Sequence, residues 1–251
     1  MNAPFSTEPG VRRRRVYLVR HGHVDYFDAG GQPLDPRNVP LSAEGRGQVL
    51  ALAELLSPLR FDRALCSDYP RARQTAELLL GSRGPHLEES AALREVRAGR
   101  LREIAVAQLQ QRVCQAYASS IEAEGSFLGG ERWSDFETRI LQRFEALLAE
   151  PEWERLLIVS HDAVNRLLLG WALGGGLGCA VALEQDNACL NILDIDMQGG
   201  RVLQRLVRVV NLTPYDPCKS AEPRTVMERI HAQIAIAVAP NRTAPRTEGQ
   251  P

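Results

Sequence analysis

The sequence predicts an α/β fold: a three-layer α/β/α sandwich with a mostly parallel central sheet and an antiparallel edge strand. Short apolar runs at residues 16–20, 63–66 and 156–160 alternate with stretches of helical periodicity, the pattern of a layered parallel sheet. Two later runs, 187–196 and 201–210, flank Gln198-Gly199-Gly200, a turn that supplies the antiparallel hairpin. A chain of 251 residues, 44% of them apolar, can bury one sizeable core without a second domain.

The elements follow in order. Residues 1–15 read as an N-terminal tail, in which Arg12 to Arg15 are solvated before the first strand begins at Val16. A Gly/Pro/Asp-rich loop over 28–40 leads to Ser42, an N-cap for a helix to Leu56 with Val49, Leu52, Ala53 and Leu56 on one face. The second strand ends at Ser67-Asp68. Pro70 then opens a helix that Gly81 closes, since proline is tolerated in a first helical turn. Residues 97–131 are expected to cover the pocket as a cap. Ser134 with Glu137 reads as a capping box for a helix ending near Glu150. The third strand stops at His161, with a helix behind it through Leu173. A single domain thus spans 16–215. Residues 216–251 form a C-terminal extension, with a helix over 224–238 striped by Val226, Met227, Ile230 and Ile234 and a disordered end after it.

Charge and cysteine usage bound the partners and the compartment. Thirty basic residues against 31 acidic ones leave a net charge of -1, so no global field draws nucleic acid or an anionic membrane. Cationic binding must be local, and apart from Lys219 it falls to arginine. Five scattered cysteines without C-x-x-C spacing suit reduced thiols in a cytoplasmic protein. No apolar run has the length of a membrane span, and residues 16–19 are too short for a signal peptide.

Three strands end in groups suited to phosphate: Arg20-His21, Ser67 followed by Arg71, and Ser160-His161. Parallel neighbours present their carboxyl ends on one edge, where open α/β sheets bind ligands. Two histidines and two arginines there make a compact cationic pocket. Phosphoryl transfer needs one, because most of its catalysis is positioning and charge stabilisation.

These residues lie within blocks that resemble the histidine phosphatase superfamily, the phosphoglycerate mutase-like proteins. Val19-Arg20-His21-Gly22 is similar to the RHG signature, and Pro40-Leu41-Ser42-Ala43-Glu44-Gly45 to P-L-T-x-x-G. The run from Ser67 to Ala76 resembles S-x-x-x-R-A-x-Q-T-A. Leu93-Arg94-Glu95 with Gly99 looks like the acidic block, and Val159-Ser160-His161 with Arg166 like the final histidine block. Five blocks in order over residues 16 to 210 are far more specific than one short motif.

The resemblance implies roles. His21 would be the nucleophile that carries the phosphoryl group, attacking as neutral imidazole with its other nitrogen fixed by an acceptor. Arg20 and Arg71 would grip phosphate oxygens, and His161 would donate to one of them. Glu95 would be the general acid and later the base, with Glu88, Glu89 and Glu103 as neighbouring carboxylates. No metal or organic cofactor is implied. The partner would be a small phosphorylated substrate, and the 226–238 stripe also suits self-association as a homodimer. Val24 and Phe27 stand where the family has polar phosphate contacts, and Asp162 stands where glycine is usual.

Hydrolysis of a phosphomonoester is therefore the expected reaction. A cofactor-primed mutase is the runner-up, disfavoured by the short interval from Arg97 to Arg155. His21-Gly22-His23-Val24-Asp25 also fits H-x-H-x-D, the spacing of a metal-dependent hydrolase, although Arg20 would repel a dication. A non-catalytic binder of phosphorylated ligands would keep the arginines. In the cap, Arg97, Arg100, Arg102, Gln108, Arg112 and Tyr117 are the candidate substrate contacts.

Overall fold

Six strands form one sheet in the order β3-β2-β4-β1-β5-β6. In chain order they are β1 (Arg12–Arg20), β2 (Arg63–Cys66), β3 (Leu87–Glu89), β4 (Arg155–Ser160), β5 (Leu190–Gln198) and β6 (Arg201–Leu212). The computed structural model describes residues 10–238, apart from 29 and 123. The first four strands in the sheet order run parallel, and β5 and β6 close the edge antiparallel.

The alternation of side chains along the buried strands splits the core in two. Val16, Leu18, Leu65, Leu156 and Ile158 face α4 (Trp133–Ala149) and α5 (Asp162–Leu173). Tyr17, Val19, Ala64, Cys66, Leu157 and Val159 face α1 (Ala43–Leu56) and α2 (Pro70–Leu80). This is the expected three-layer sandwich. Helices α3 (Val106–Cys114) and α6 (Val226–Val238) lie outside those layers and pack on each other.

Local chemistry explains most boundaries. Ser42 caps α1 by accepting from the Gly45 N–H at 3.0 Å, and Pro70 opens α2. Gly199 and Gly200 both take positive φ, 56° and 80°, as a tight hairpin turn with the right twist requires.

Three expectations need correction, and one strand was not expected. The first strand begins at Arg12, not Val16, because β5 brings acidic partners alongside: Arg13 is bidentate to Asp196 and Arg15 to Asp194. Ser134 is no cap, since α4 has already begun at Trp133, a buried indole that donates to Ser119 Oγ. A capping box forms instead at α6, where Thr225 Oγ1 accepts from the Glu228 N–H and Glu228 accepts from the Thr225 N–H. That helix starts at Val226 rather than 224. Strand β3, three residues long, had no sequence signal. The tail expected over 1–9 and the disorder expected after 238 lie outside the described residues. Among the described residues, no single helix is long and apolar enough to cross a membrane.

Candidate active site

The sheet register builds the site. Arg20 pairs with Ser160 across β1 and β4, and Cys66 with Val159 across β2 and β4. His21, Ser67 and His161, each one residue past a strand end, therefore emerge side by side. The turn after β1 is fixed by a close approach of two glycines. A Cβ on Gly22 would sit 2.6 Å from the Gly45 carbonyl oxygen, and one on Gly45 would sit 2.1 Å from that of His23. Only glycine lets the first turn of α1 press against the strand end. Thr75 ties α2 to the same turn, accepting from the Gly22 N–H at 3.2 Å and donating to the Arg71 carbonyl at 2.8 Å.

Both imidazoles are neutral, and their partners set the tautomers. His21 Nδ1 lies 2.7 Å from the Gly22 carbonyl, which can only accept, so Nδ1 carries the proton. Its Nε2 accepts from Arg71 Nε at 3.1 Å, leaving the lone pair on the inward nitrogen. For His161 the pattern is reversed. Arg71 Nη2 approaches Nδ1 at 3.4 Å, and Nε2 donates to Ser67 Oγ at 2.9 Å. The ring centroids are 5.2 Å apart. Burial, reinforced by Arg71 and Arg20, holds the pKa of His21 well below that of free histidine. His161 is depressed in the same way, with His21 adding to the effect.

The two arginines differ in how they are spent. Arg71, 2% exposed, also donates through Nη1 to the Pro36 carbonyl. Arg20, 6% exposed, donates Nη1 to the Gln185 carbonyl at 2.6 Å, while its buried Nε has no hydrogen-bond partner among the described residues. An unpaired buried donor is costly, and an acceptor bound against it would remove that cost.

Glu95 completes the cluster at the start of α5. Its Oε1 accepts from the Val96 N–H at 3.0 Å and from the Ala163 N–H at 3.2 Å. Burial and the neighbouring Asp162 carboxylate push its pKa up to about 7, against the opposing pull of the Val96 N–H, Arg20 and Arg71. Arg139 pins the segment that carries it by donating to the carbonyls of Ala92, Arg94 and Glu95 while paired with Glu131. The rival carboxylates are occupied elsewhere: Glu88 with Arg63, Glu89 with Arg73 and Glu103 with Arg100.

The remaining candidates separate cleanly. His23 Nδ1 faces Ser42 Oγ at 2.9 Å and lies near Glu44. Among the described residues no group of three or more His, Cys, Asp or Glu side chains converges on a metal position. Val24 joins an apolar cluster with Val39, Leu41 and Val49, and Phe27 packs on the main core, so neither side chain offers phosphate a polar contact. Of the cap candidates, Tyr117 is buried beneath Arg166, whose guanidinium carbon lies 4.1 Å from the ring centroid. Arg97, Arg100 and Arg102 are not buried, and Gln108 and Arg112 line a separate cavity of about 430 Å³ formed by residues 108–128. The Cys66 thiol is pushed up to about 12, chiefly by burial, and is a core group.

Sequence reasoning missed three supports. Gln185, which holds Arg20, sits in a stretch with no motif. Its side chain joins Asn165 and Asn191 in a fully buried amide knot. Asp162, read only as a departure, pairs with Arg166 at 2.6 Å beside Glu95. Arg139 lay on a helix with no marker of its reach. The i,i+4 spacing of Asp162 and Arg166 was the one available signal.

This geometry has relatives. Adenosylcobalamin/alpha-ribazole phosphatase of Escherichia coli (strain K12) is 29% identical over 191 residues, covering 73% of this chain and 91% of that protein. Probable phosphoglycerate mutase GpmB of Serratia proteamaculans is 30% identical over 162 residues, covering 64% and 75%. Among solved structures, mycobacterial glucosyl-3-phosphoglycerate phosphatase superposes with a TM-score of 0.66 at 27% identity, over 80% of this chain and 99% of that one. The family profile runs over residues 16–207, from the first strand into the last, and takes in every strand end that builds the cluster, so the chain belongs to the histidine phosphatase superfamily (branch 1).

Proposed function

We propose that the chain is a phosphomonoesterase that hydrolyses a phosphorylated metabolite through a phosphohistidine on His21. The observation that carries this is the tautomer of His21: a protonated Nδ1 held by the Gly22 carbonyl, and an Nε2 lone pair set among Arg71, Arg20 and His161. In the first step Nε2 bonds to phosphorus and the ester oxygen leaves with the proton of Glu95. In the second, water attacks the phosphohistidine and gives a proton to Glu95, releasing inorganic phosphate and neutral His21. Arg20 and Arg71 bind the phosphoryl oxygens in both steps; His161 joins them by donating from Nδ1 once Arg71 has turned to the phosphate and the Ser67 hydroxyl donates to Nε2 instead of accepting from it, and water is the only co-reactant. The similarity to an alpha-ribazole phosphatase and to a glucosyl-3-phosphoglycerate phosphatase supports hydrolysis of a phosphate ester on a small molecule.

The test is turnover of an aryl phosphate by the full chain in EDTA, with His21→Ala in parallel. EDTA-resistant hydrolysis that disappears in the variant, with acid-labile label trapped on the wild-type protein, is expected. Hydrolysis that persists in His21→Ala overturns the reading. The similarity to GpmB favours a second reading, a phosphomutase. It predicts a stable phosphohistidine that passes its phosphoryl group to a phosphorylated hydroxy acid much faster than to water.

A further inference from the structure

The loop that holds Arg20 is gripped from outside the family match. Gln185 supplies the carbonyl to Arg20, and the residues on either side of it are both bound by the C-terminal segment. On one side, Glu184 Oε1 accepts from the Val226 N–H at 2.7 Å, while Oε2 accepts from Arg166 at 3.0 Å. On the other, the Asp186 carboxylate takes Lys219 Nζ at 2.9 Å, Arg229 Nη2 at 3.0 Å and Asn211 Nδ2 at 3.0 Å. Asn187 follows, its carbonyl accepting from the Tyr215 hydroxyl at 2.6 Å. The family profile ends at residue 207, whereas Tyr215, Lys219, Val226 and Arg229 lie beyond it.

We propose that residues 213–234 are a working part of the active site: through Asp186 and Glu184 they clamp the neighbours of Gln185 and so aim Arg20 at the phosphate, with Lys219 and Arg229 as positioning residues. This rests on the reading of Arg20 as a phosphate ligand. The reasoning is geometric. Residues 184–189 have no ladder of their own, so the Gln185 carbonyl is placed by the amide knot of its own side chain and by what holds its two neighbours. The bonds that do so are mostly charge-assisted, which makes them shorter and stronger than neutral ones. Burial works against the Asp186 charge, but Lys219, Asn211 and Arg229 outweigh it and keep the carboxylate below its ordinary pKa. The clamp is also anchored, because α6 buries Val226, Met227 and Ile234. It also faces Arg20 across a gap: Arg229, Ile230 and Gln233 line a cavity of about 60 Å³ whose lining includes Arg20, His23 and Tyr26. A cation that must meet a phosphate oxygen in register loses most of its effect when displaced by about 1 Å.

The test uses inorganic phosphate as the probe, measured by calorimetry on the full chain, for wild type, the double variant Lys219→Met/Arg229→Met, Arg20→Ala, and all three changes together. The expected result is that the double variant weakens phosphate binding about tenfold, the lower end of the worth of one charged hydrogen bond. The same double change adds nothing in the Arg20→Ala background, as coupled residues require. Lys219→Arg/Arg229→Lys restores the affinity, and KM for an aryl phosphate follows the phosphate dissociation constant. A lowered Tm with unchanged phosphate affinity overturns the proposal, leaving these pairs as simple anchors. An equal loss with and without Arg20 also overturns it. If Arg20→Ala itself leaves phosphate affinity intact, the reading of Arg20 fails together with the clamp. Failure of the clamp alone shows as a weakened Arg20→Ala beside an unaffected Lys219→Met/Arg229→Met.

Discussion

Arg71 donates its Nε to Nε2 of His21 at 3.1 Å, so the cation expected to bind the phosphate also covers the lone pair expected to attack it. Its remaining nitrogens reach His161 and the Pro36 carbonyl. A bound phosphate, a stronger acceptor than imidazole or carbonyl, must draw Arg71 away from those partners. Under the proposed mechanism, binding and uncovering of the nucleophile would be one event.

Arg71→Met should therefore change both the protonation of His21 and the rate. After burial, Arg71 is the largest influence lowering the pKa of both histidines, so its removal should move each upward toward the ordinary value. Ring-proton NMR titration checks this, and unmoved titrations would mean that burial acts alone. Turnover of an aryl phosphate should fall by roughly 10²–10³, the usual loss for one charge-stabilising donor.

Under the proposed mechanism Glu95 would set the alkaline limit of the reaction. Its pKa is raised to about 7, so the carboxyl is protonated below that pH and able to donate, and is lost as an acid above it. His21, depressed well below 6.5, stays neutral over the same range. kcat/KM should thus hold through mildly acidic pH and decline about tenfold per unit above neutrality. Glu95→Gln should remove that limb and lower the rate by roughly 10²–10⁴. An alkaline limb that survives in the variant would assign it to another group.

The parts of this molecule legible in the sequence are those whose cause is local. The apolar runs of β1, β2 and β4, the Ser42 cap and Pro70 each act within a few residues, and they mark where the three parallel strands end. What escaped depends on distant partners. Arg13 looks like tail chemistry until Asp196 arrives 183 positions later. Ser134 satisfies a capping pattern that the buried Trp133 overrides by starting the helix a residue earlier. Gln185 works through its backbone carbonyl, an atom every residue has, so no side-chain pattern could mark it.

Asp162 tests how one departure from the family pattern tunes the acid. Its carboxylate is second only to burial in raising Glu95, and it is itself held by Arg166 above the ring of Tyr117. Arg20, Arg71 and the Val96 N–H pull Glu95 the other way. Asp162→Asn should lower the Glu95 pKa and move the alkaline limb to lower pH, with the maximal rate little changed. Thermal unfolding should report a cost of roughly 2–3 kcal/mol. That is less than an orphaned buried cation would cost, because Glu184 still accepts from Arg166 at 3.0 Å. A limb that stays in place would show that burial alone sets the acid.

The arginine run lies on β1, inside the sheet and beside the carboxylates of β5. Asp194 is 1% exposed and accepts both forks of Arg15 at 2.6 and 2.8 Å, with Arg208 of β6 at 3.8 Å on its other side. One carboxylate thus sits between cations of two flanking strands, and Asp196 repeats the pairing with Arg13 one strand pitch away. Removing it leaves Arg15 without its bidentate acceptor and sets Arg15 and Arg208 against each other without an intervening charge. Asp194→Ala should destabilise the fold by roughly 2–3 kcal/mol, the scale of hydrogen bonds to charged groups. Denaturant unfolding should show it as a lower midpoint at unchanged slope. Because the carboxylate is buried, wild-type stability should change little between low and moderate salt, unlike that of an exposed pair. Asp35, half of an exposed pair with Arg37 on the 28–40 loop, provides the contrast: Asp35→Ala should leave the midpoint where it was. Equal effects of the two substitutions would mean that the Asp194 pairing does not hold β1 in the sheet from Arg12 onward.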